Sequence, residues 1–102
     1  MAKSILKTDK HICFRCGRYG PTDLHHIFGG TANRRLSDED GLLVYLCHRC
    51  HNQPPCGVHF NKDTMLWMRR VGQRAYEAEL MKTMSPEEAR EEFMRRYGKN
   101  YL

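Results

Sequence analysis

The chain has 102 residues, enough for one small domain with at most a short appendage. It carries 17 basic and 12 acidic residues for a net charge of +5, which permits an anionic partner without demanding one. Mean hydropathy is −0.72, and no stretch approaches the run of about 18 apolar residues that a membrane helix needs, so no membrane association is expected. Leu, Ile, Val and Phe total 19 of 102, a thin core that calls for a disulfide or a metal as reinforcement.

In chain order, residues 1–11 form a basic lead-in with Lys3, Lys7 and Lys10, and a short strand or turn is placed near Ile5. Its first residues lack the apolar segment of a secretory signal, so a cytoplasmic location is expected. Thiols stay reduced there, and five Cys with six His then point to metal rather than to disulfides. Residues 12–61 hold all five Cys and five of the six His, many Gly and Pro, and no long helical period. Residues 62–102 lack both residue types and read as two helices.

The first of these helices starts at a cap on Asn61 or Asp63 and runs to about Lys82. Met65, Met68, Val71, Ala75 and Leu80 mark its apolar face, with Trp67 and Tyr76 beside it, and Gly72 interrupts it. Arg69, Arg70 and Arg74 on this helix are solvated residues or phosphate contacts. The second helix opens with Ser85-Pro86-Glu87-Glu88, a capping box with proline in the first turn. Ala89, Phe93 and Tyr97 repeat at i, i+4, i+8, and Arg95, Arg96 and Gly98 close it. Both helices are scaffold in this reading.

Cys13-Phe14-Arg15-Cys16 and Cys47-His48-Arg49-Cys50 are two CxxC knuckles. Each lets two thiolates reach one ion, and two knuckles complete a tetrahedral four-cysteine structural Zn2+ site. The 30 residues between them exceed the about 15–20 of a plain zinc ribbon, so a substantial unit is inserted there. Cys56 is left over, between Pro55 and Gly57.

The insert opens with Leu24-His25-His26-Ile27. Adjacent histidines on a strand point to opposite faces, so one can face a metal and its neighbour another part of a cleft. His51 follows the second knuckle directly and His59 comes eight residues later. His48 reads as exposed, and His11 as exposed or as a substitute zinc ligand.

The order CxxC, Leu-His-His-Ile, Gly-Leu-Leu-Val-Tyr-Leu-CxxC-His, then Gly-Val-His-Phe-Asn-Lys resembles the HNH endonucleases of the ββα-metal superfamily, in particular small phage-type HNH proteins. The likeness runs from Cys13 to about Lys62, and Arg96-Tyr97-Gly98-Lys99-Asn100-Tyr101-Leu102 is similar to the tail of such proteins. The resemblance implies an α+β fold: a zinc-stapled ββα-metal (HNH) core over 12–61 with a C-terminal pair of helices over 62–102 packed on it.

It also implies that Cys13, Cys16, Cys47 and Cys50 hold structural zinc. His25, His51 and His59 then bind a catalytic divalent cation, and His26 acts as general base. Phosphodiester hydrolysis in this family leaves 5′-phosphate and 3′-hydroxyl. An all-His site with open positions admits Mg2+, Mn2+, Ni2+ or Zn2+. The family's middle Asn is absent here: Asp40 or Gly41 fills its slot, and Asn33 stands earlier. Asp40 or Asn33 is expected to hold the base histidine in its place.

Arg34, Arg35 and Arg49 are candidate contacts to DNA phosphate, or singly solvated residues. The implied partners are DNA and other phage DNA-processing or packaging proteins, in the bacterial host cytosol. Two readings follow: a metal-dependent DNA endonuclease, favoured by the His doublet with His51, and a catalytically weak or inactive zinc-binding module that binds nucleic acid or a phage partner protein, favoured by the missing Asn.

Overall fold

The computed structural model describes residues 4–102, so the expected role of Lys3 lies outside the described residues. The chain is a small α+β unit. Strands β1 (Asp23–His26) and β2 (Leu43–Leu46) pair antiparallel, with His25 opposite Val44 and His26 opposite Leu43. Helices α1 (Thr31–Asp40) and α2 (His48–Asn52) follow the two strands in turn. α3 (Lys62–Leu80) and α4 (Pro86–Tyr97) complete the chain. No described helix is long and apolar enough to cross a membrane.

Helix α1 is the element that periodicity missed, because Leu36 is its one large apolar residue. Its C-terminal cap and one buried hydroxyl hold it instead. Gly41 closes it in the left-handed region at φ 71°, donating its N–H to the Ser37 carbonyl. Ser37 Oγ is fully buried, accepts from Phe28 N at 2.9 Å and donates to Phe28 O at 3.1 Å. α1 is thus tied to the chain just after β1.

The lead-in is anchored rather than loose. Ser4 Oγ donates to Leu43 O (2.6 Å), Ile5 N to Gly41 O (2.9 Å), and Tyr45 N donates to Thr8 Oγ1 (3.0 Å). These bonds occupy an edge of a two-stranded sheet that would otherwise leave backbone groups unpaired.

Both C-terminal helices start where their caps direct. Asn61 Oδ1 accepts from Thr64 N at 3.0 Å, and Ser85 with Glu88 forms the full reciprocal capping box. The buried stripe of α3 is shifted from the expected one. Thr64, Met68, Gly72, Gln73, Tyr76 and Glu77 are buried, while Met65, Val71, Ala75 and Leu80 are half-buried.

Two causes explain the shift. Gly72 lets the helix backbone press onto the end of β1: a Cβ there would lie 2.6 Å from Ile27 Cγ2 and 3.1 Å from Phe28 Cε2. Gln73 and Glu77 are buried because they are satisfied. Gln73 Nε2 donates to Glu77 Oε2 (2.6 Å) and to Asn100 Oδ1 (2.8 Å), and Arg90 Nε donates to the same Glu77 oxygen (2.8 Å). Below them Phe28, Phe93 and Tyr97 stack, with centroids 4.6 Å apart for Phe28–Tyr97 and 4.9 Å for Phe93–Tyr97. The core therefore lies between the hairpin and the two long helices.

Candidate metal centres

The two knuckles meet as their spacing predicts. The Sγ atoms of Cys13, Cys16, Cys47 and Cys50 all lie within 4.8 Å of one another, a set compatible with one structural metal ion such as zinc. Three of the four cysteines are buried. Burial opposes ionisation of Cys13, but hydrogen bonds from the backbone of Cys16, Cys47 and Arg15 overcome it and bring its thiol down to about 6. Burial drives Cys50 the other way, strongly upward, and the neighbouring sulfurs add to this. Four crowded thiols cannot all become thiolates without a cation between them. The first knuckle also rests on α3: the Phe14 and Trp67 ring centroids are 6.2 Å apart, and the Arg15 guanidinium sits 4.6 Å over the Trp67 ring.

A second cluster is built from β1, α2 and the loop after α2. One nitrogen each from His25, His51 and His59 falls within a 4.8 Å set. The two-residue period of β1 puts Asp23 and His25 on one face, and the second knuckle launches α2 so that His51 stands over that face. His59 arrives because the chain doubles back on α2. Gly57 N donates to Gln53 O (2.8 Å), Val58 N to Cys50 O (2.8 Å) and His59 N to His51 O (3.4 Å). Only glycine fits at this fold-back, since a Cβ at Gly57 would lie 2.6 Å from Gln53 O.

Burial disfavours the charged form of His25 and of His59. His51 Nδ1 donates to Asp23 Oδ2 at 3.2 Å, which orients the ring and turns Nε2 inward. His59 Nε2 and His51 Nε2 face each other at 3.1 Å. His25 is 4% exposed, and its Nε2 is buried without a partner among the described residues. The three nitrogens are close enough together that they could hold a metal ion. Burial lowers His25 to about 3, with the His51 and His59 charges adding to it, so it is unprotonated near neutrality. Burial and His51 also lower His59. Asp23 is lowered first by its bond to His51 and further by His48, whose Nδ1 lies 3.4 Å from the same oxygen.

Comparison with family models, with curated proteins and with solved structures found no match to this chain. Its site must therefore be read from its own geometry.

His25, His26, His51, His59 and Arg34 border one cleft of about 300 Å³. His26, on the opposite face of β1 from His25, has Nε2 3.5 Å from Asp38 Oδ1 of α1. Asp38, not Asp40, is the carboxylate next to it. Asp40 instead accepts from Arg96 Nε and Tyr97 Oη, both at 2.6 Å, and so joins α1 to α4. Burial and Asp40 together raise Tyr97 well above the usual phenol range. Asn33 is half-buried on α1 and does not border the histidine cleft.

Of the three arginines singled out from sequence, Arg34 alone borders that cleft. Arg35 is exposed, 3.7 Å from Glu39 one turn along. Arg49 lines a separate cleft of about 320 Å³ with Arg18, Tyr19 and His48. Asp23 and Asp38 escaped sequence reasoning. Asp23 was findable, because it stands two residues before His25 and strand alternation puts both on one face. Asp38 carried no such signal, because α1 itself was not visible.

Proposed function

We propose that the chain is a metal-dependent, HNH-type DNA endonuclease, a hydrolase of phosphodiester bonds with a ββα-metal core stapled by a four-cysteine zinc. The observation that carries this reading is the orphaned Nε2 of His25 among the His51 and His59 nitrogens, with His26 bordering the same cleft.

His25, His51 and His59 are the residues that hold a divalent cation (Mg2+, Mn2+, Ni2+ or Zn2+), leaving positions open to a ligand. When bound, such an ion polarises the scissile phosphate and stabilises charge on the departing 3′ oxygen. His26 is the general base. Asp38 beside Nε2 favours the tautomer with the proton on that nitrogen, which leaves Nδ1 to take a proton from the attacking water. Asp38 thereby does for this histidine what the resemblance assigned to Asp40 or Asn33. Asp23 fixes the His51 ring with its metal-binding nitrogen inward. Arg34, at the rim, meets the DNA backbone.

The test is a plasmid nicking assay with added Mg2+, Mn2+ or Ni2+. Wild-type protein converts supercoiled DNA to nicked or linear forms. His26→Ala lowers the rate by about 10²–10⁴-fold, the share general-base catalysis commonly supplies, while bound zinc stays unchanged by elemental analysis. A wild-type protein that loads zinc on its cysteines and cuts with no divalent ion ends this reading and leaves the non-catalytic zinc module.

A further inference from the structure

A groove of about 520 Å³ runs from the histidine cluster along the first turns of α3 to residues 99–101. His59 borders both spaces, so the groove opens from the candidate metal centre. Three cations, Lys62, Arg69 and Lys99, line it, and no Asp or Glu does. On α4 every arginine is paired with a carboxylate, Arg90 with Glu77, Arg95 with Glu92, and Arg96 with Asp40 and Glu39, and Lys82 between the helices pairs with Glu79, whereas Arg70 and Arg74 of α3, outside the groove, have no carboxylate partner among the described residues. Among the described residues Lys62, Arg69 and Lys99 have no carboxylate partner, and Arg69 Nε is buried without any hydrogen bond.

The groove also has flat apolar surface at its rim. Phe60 lines the groove and is 58% exposed. Tyr101 forms the opposite wall, with the Arg69 guanidinium 5.5 Å and Lys99 Nζ 5.4 Å from its ring centroid. That wall is rigidly held. Tyr101 N donates to Gln73 Oε1 (2.8 Å), Arg70 Nε donates to Tyr101 O (2.8 Å), and Gln73 also grips Asn100. The buried polar Gln73 thus holds the tail so that Lys99 and Tyr101 face the groove.

Unpaired cations beside an exposed aromatic ring are the means by which proteins bind single-stranded nucleic acid: phosphates meet the cations and an unstacked base lies on the ring. We infer that this groove seats an unpaired DNA strand flanking the scissile phosphate, with Arg69, Lys99 and Lys62 on its phosphates and a base on Phe60. The inference deepens the endonuclease reading by giving the substrate a single-stranded segment next to the cut. It places the phosphate contacts on α3 and the tail, with the stacking ring of Phe60 at the edge of the cysteine–histidine core.

The experiment is fluorescence anisotropy of a short fluorescein-labelled oligo-dT with the zinc-loaded full chain and no added divalent ion, repeated over a range of salt concentrations. Lys62, Lys99 and Phe60 are exposed, so Lys62→Gln with Lys99→Gln, and Phe60→Ala, test the groove without touching the core. Lys10→Gln with Lys82→Gln, both exposed and outside the groove, is the charge-matched control.

The double lysine variant should reduce the slope of log affinity against log salt by about 1.4, two phosphate contacts' worth for a single strand. Phe60→Ala should weaken binding about tenfold with the slope unchanged, the pattern of lost stacking. An oligonucleotide of duplex DNA should bind these variants and wild type alike.

The inference is overturned if the lysine pair changes affinity and slope no more than Lys10→Gln with Lys82→Gln and Phe60→Ala changes neither, or if duplex binding is weakened as much as single-strand binding. The two readings fail separately. Groove-dependent binding by a protein that cuts no DNA removes the endonuclease and keeps the groove. Cutting that is indifferent to all these variants removes the groove and keeps the endonuclease.

Discussion

The two clusters of metal-binding side chains share one hairpin and differ in almost every physical respect. The cysteine cluster supplies four sulfur ligands, three of them buried, so an ion there has its tetrahedral set complete. The histidine cluster supplies three nitrogens around a cleft of about 300 Å³, so an ion there keeps room for another ligand. Closure suits a staple and openness suits chemistry. The supporting contacts differ in the same sense: the knuckles rest on backbone amides and on Trp67, whereas carboxylates stand beside the imidazoles, Asp23 hydrogen-bonded to His51 and Asp38 3.5 Å from His26.

The largest expected effect sets the two clusters directly against each other. Cys47→Ser should unfold the chain, because structural zinc contributes about 10 kcal/mol or more of folding free energy in small zinc-dependent units. His51→Ala should keep the fold and lose only the second ion. Circular dichroism with metal analysis reads both, and a well-folded, zinc-free Cys47→Ser protein would break the contrast.

Asp23→Asn is a subtler cut. It retains shape but removes the charge that holds His51, so divalent-ion affinity at the histidines should fall about 10–100-fold with the cysteine-bound zinc unaffected. Equilibrium dialysis with Mn2+ or Ni2+ measures it, and wild-type affinity would show that Asp23 does not orient the ligand.

A further effect, spread over several pH units, is in stability. His25 titrates at about 3 when folded, against 6.5 for a free histidine, so between these values the unfolded chain binds the extra proton. This contribution to stability is fully present above 6.5 and is lost as pH falls toward about 3, with a slope of at most about 1.4 kcal/mol per pH unit from this one group. Denaturant melts of protein without divalent ion in the histidine site should show that slope, and His25→Asn should remove it.

How much of this was legible in the sequence varies with the range of the interaction. The cysteine frame was legible because two CxxC spacings bring their thiols to an ion with little dependence on the rest of the chain. Helix α4 was legible for the same reason, as Ser85, Glu88 and Gly98 lie within a turn of the groups they satisfy. Helix α1 was not, because a single Leu gives no period and a buried Ser37 hydroxyl bonded to Phe28 leaves no pattern. The stripe on α3 was partly legible. Its apolar repeat was visible, but Gln73 and Glu77 are buried through partners on α4 and the tail that lie 13 to 28 residues away.

The histidine cluster sits between these cases. Residue types and order alone singled out His25, His26, His51 and His59, because an imidazole doublet on a strand and a histidine after a knuckle are local facts. The allocation of carboxylates to them was decided only by tertiary structure. Asp38 and Asp40 are two residues apart on α1, and a helix turns them about 200° from one another, so the packing of α1 sends one to His26 and the other to Arg96 and Tyr97. Sequence determined which groups are able to bind metal. Strand register, the fold-back at Gly57 and the docking of α1 and α3 decided which of them meet, because those depend on surfaces far apart in the chain.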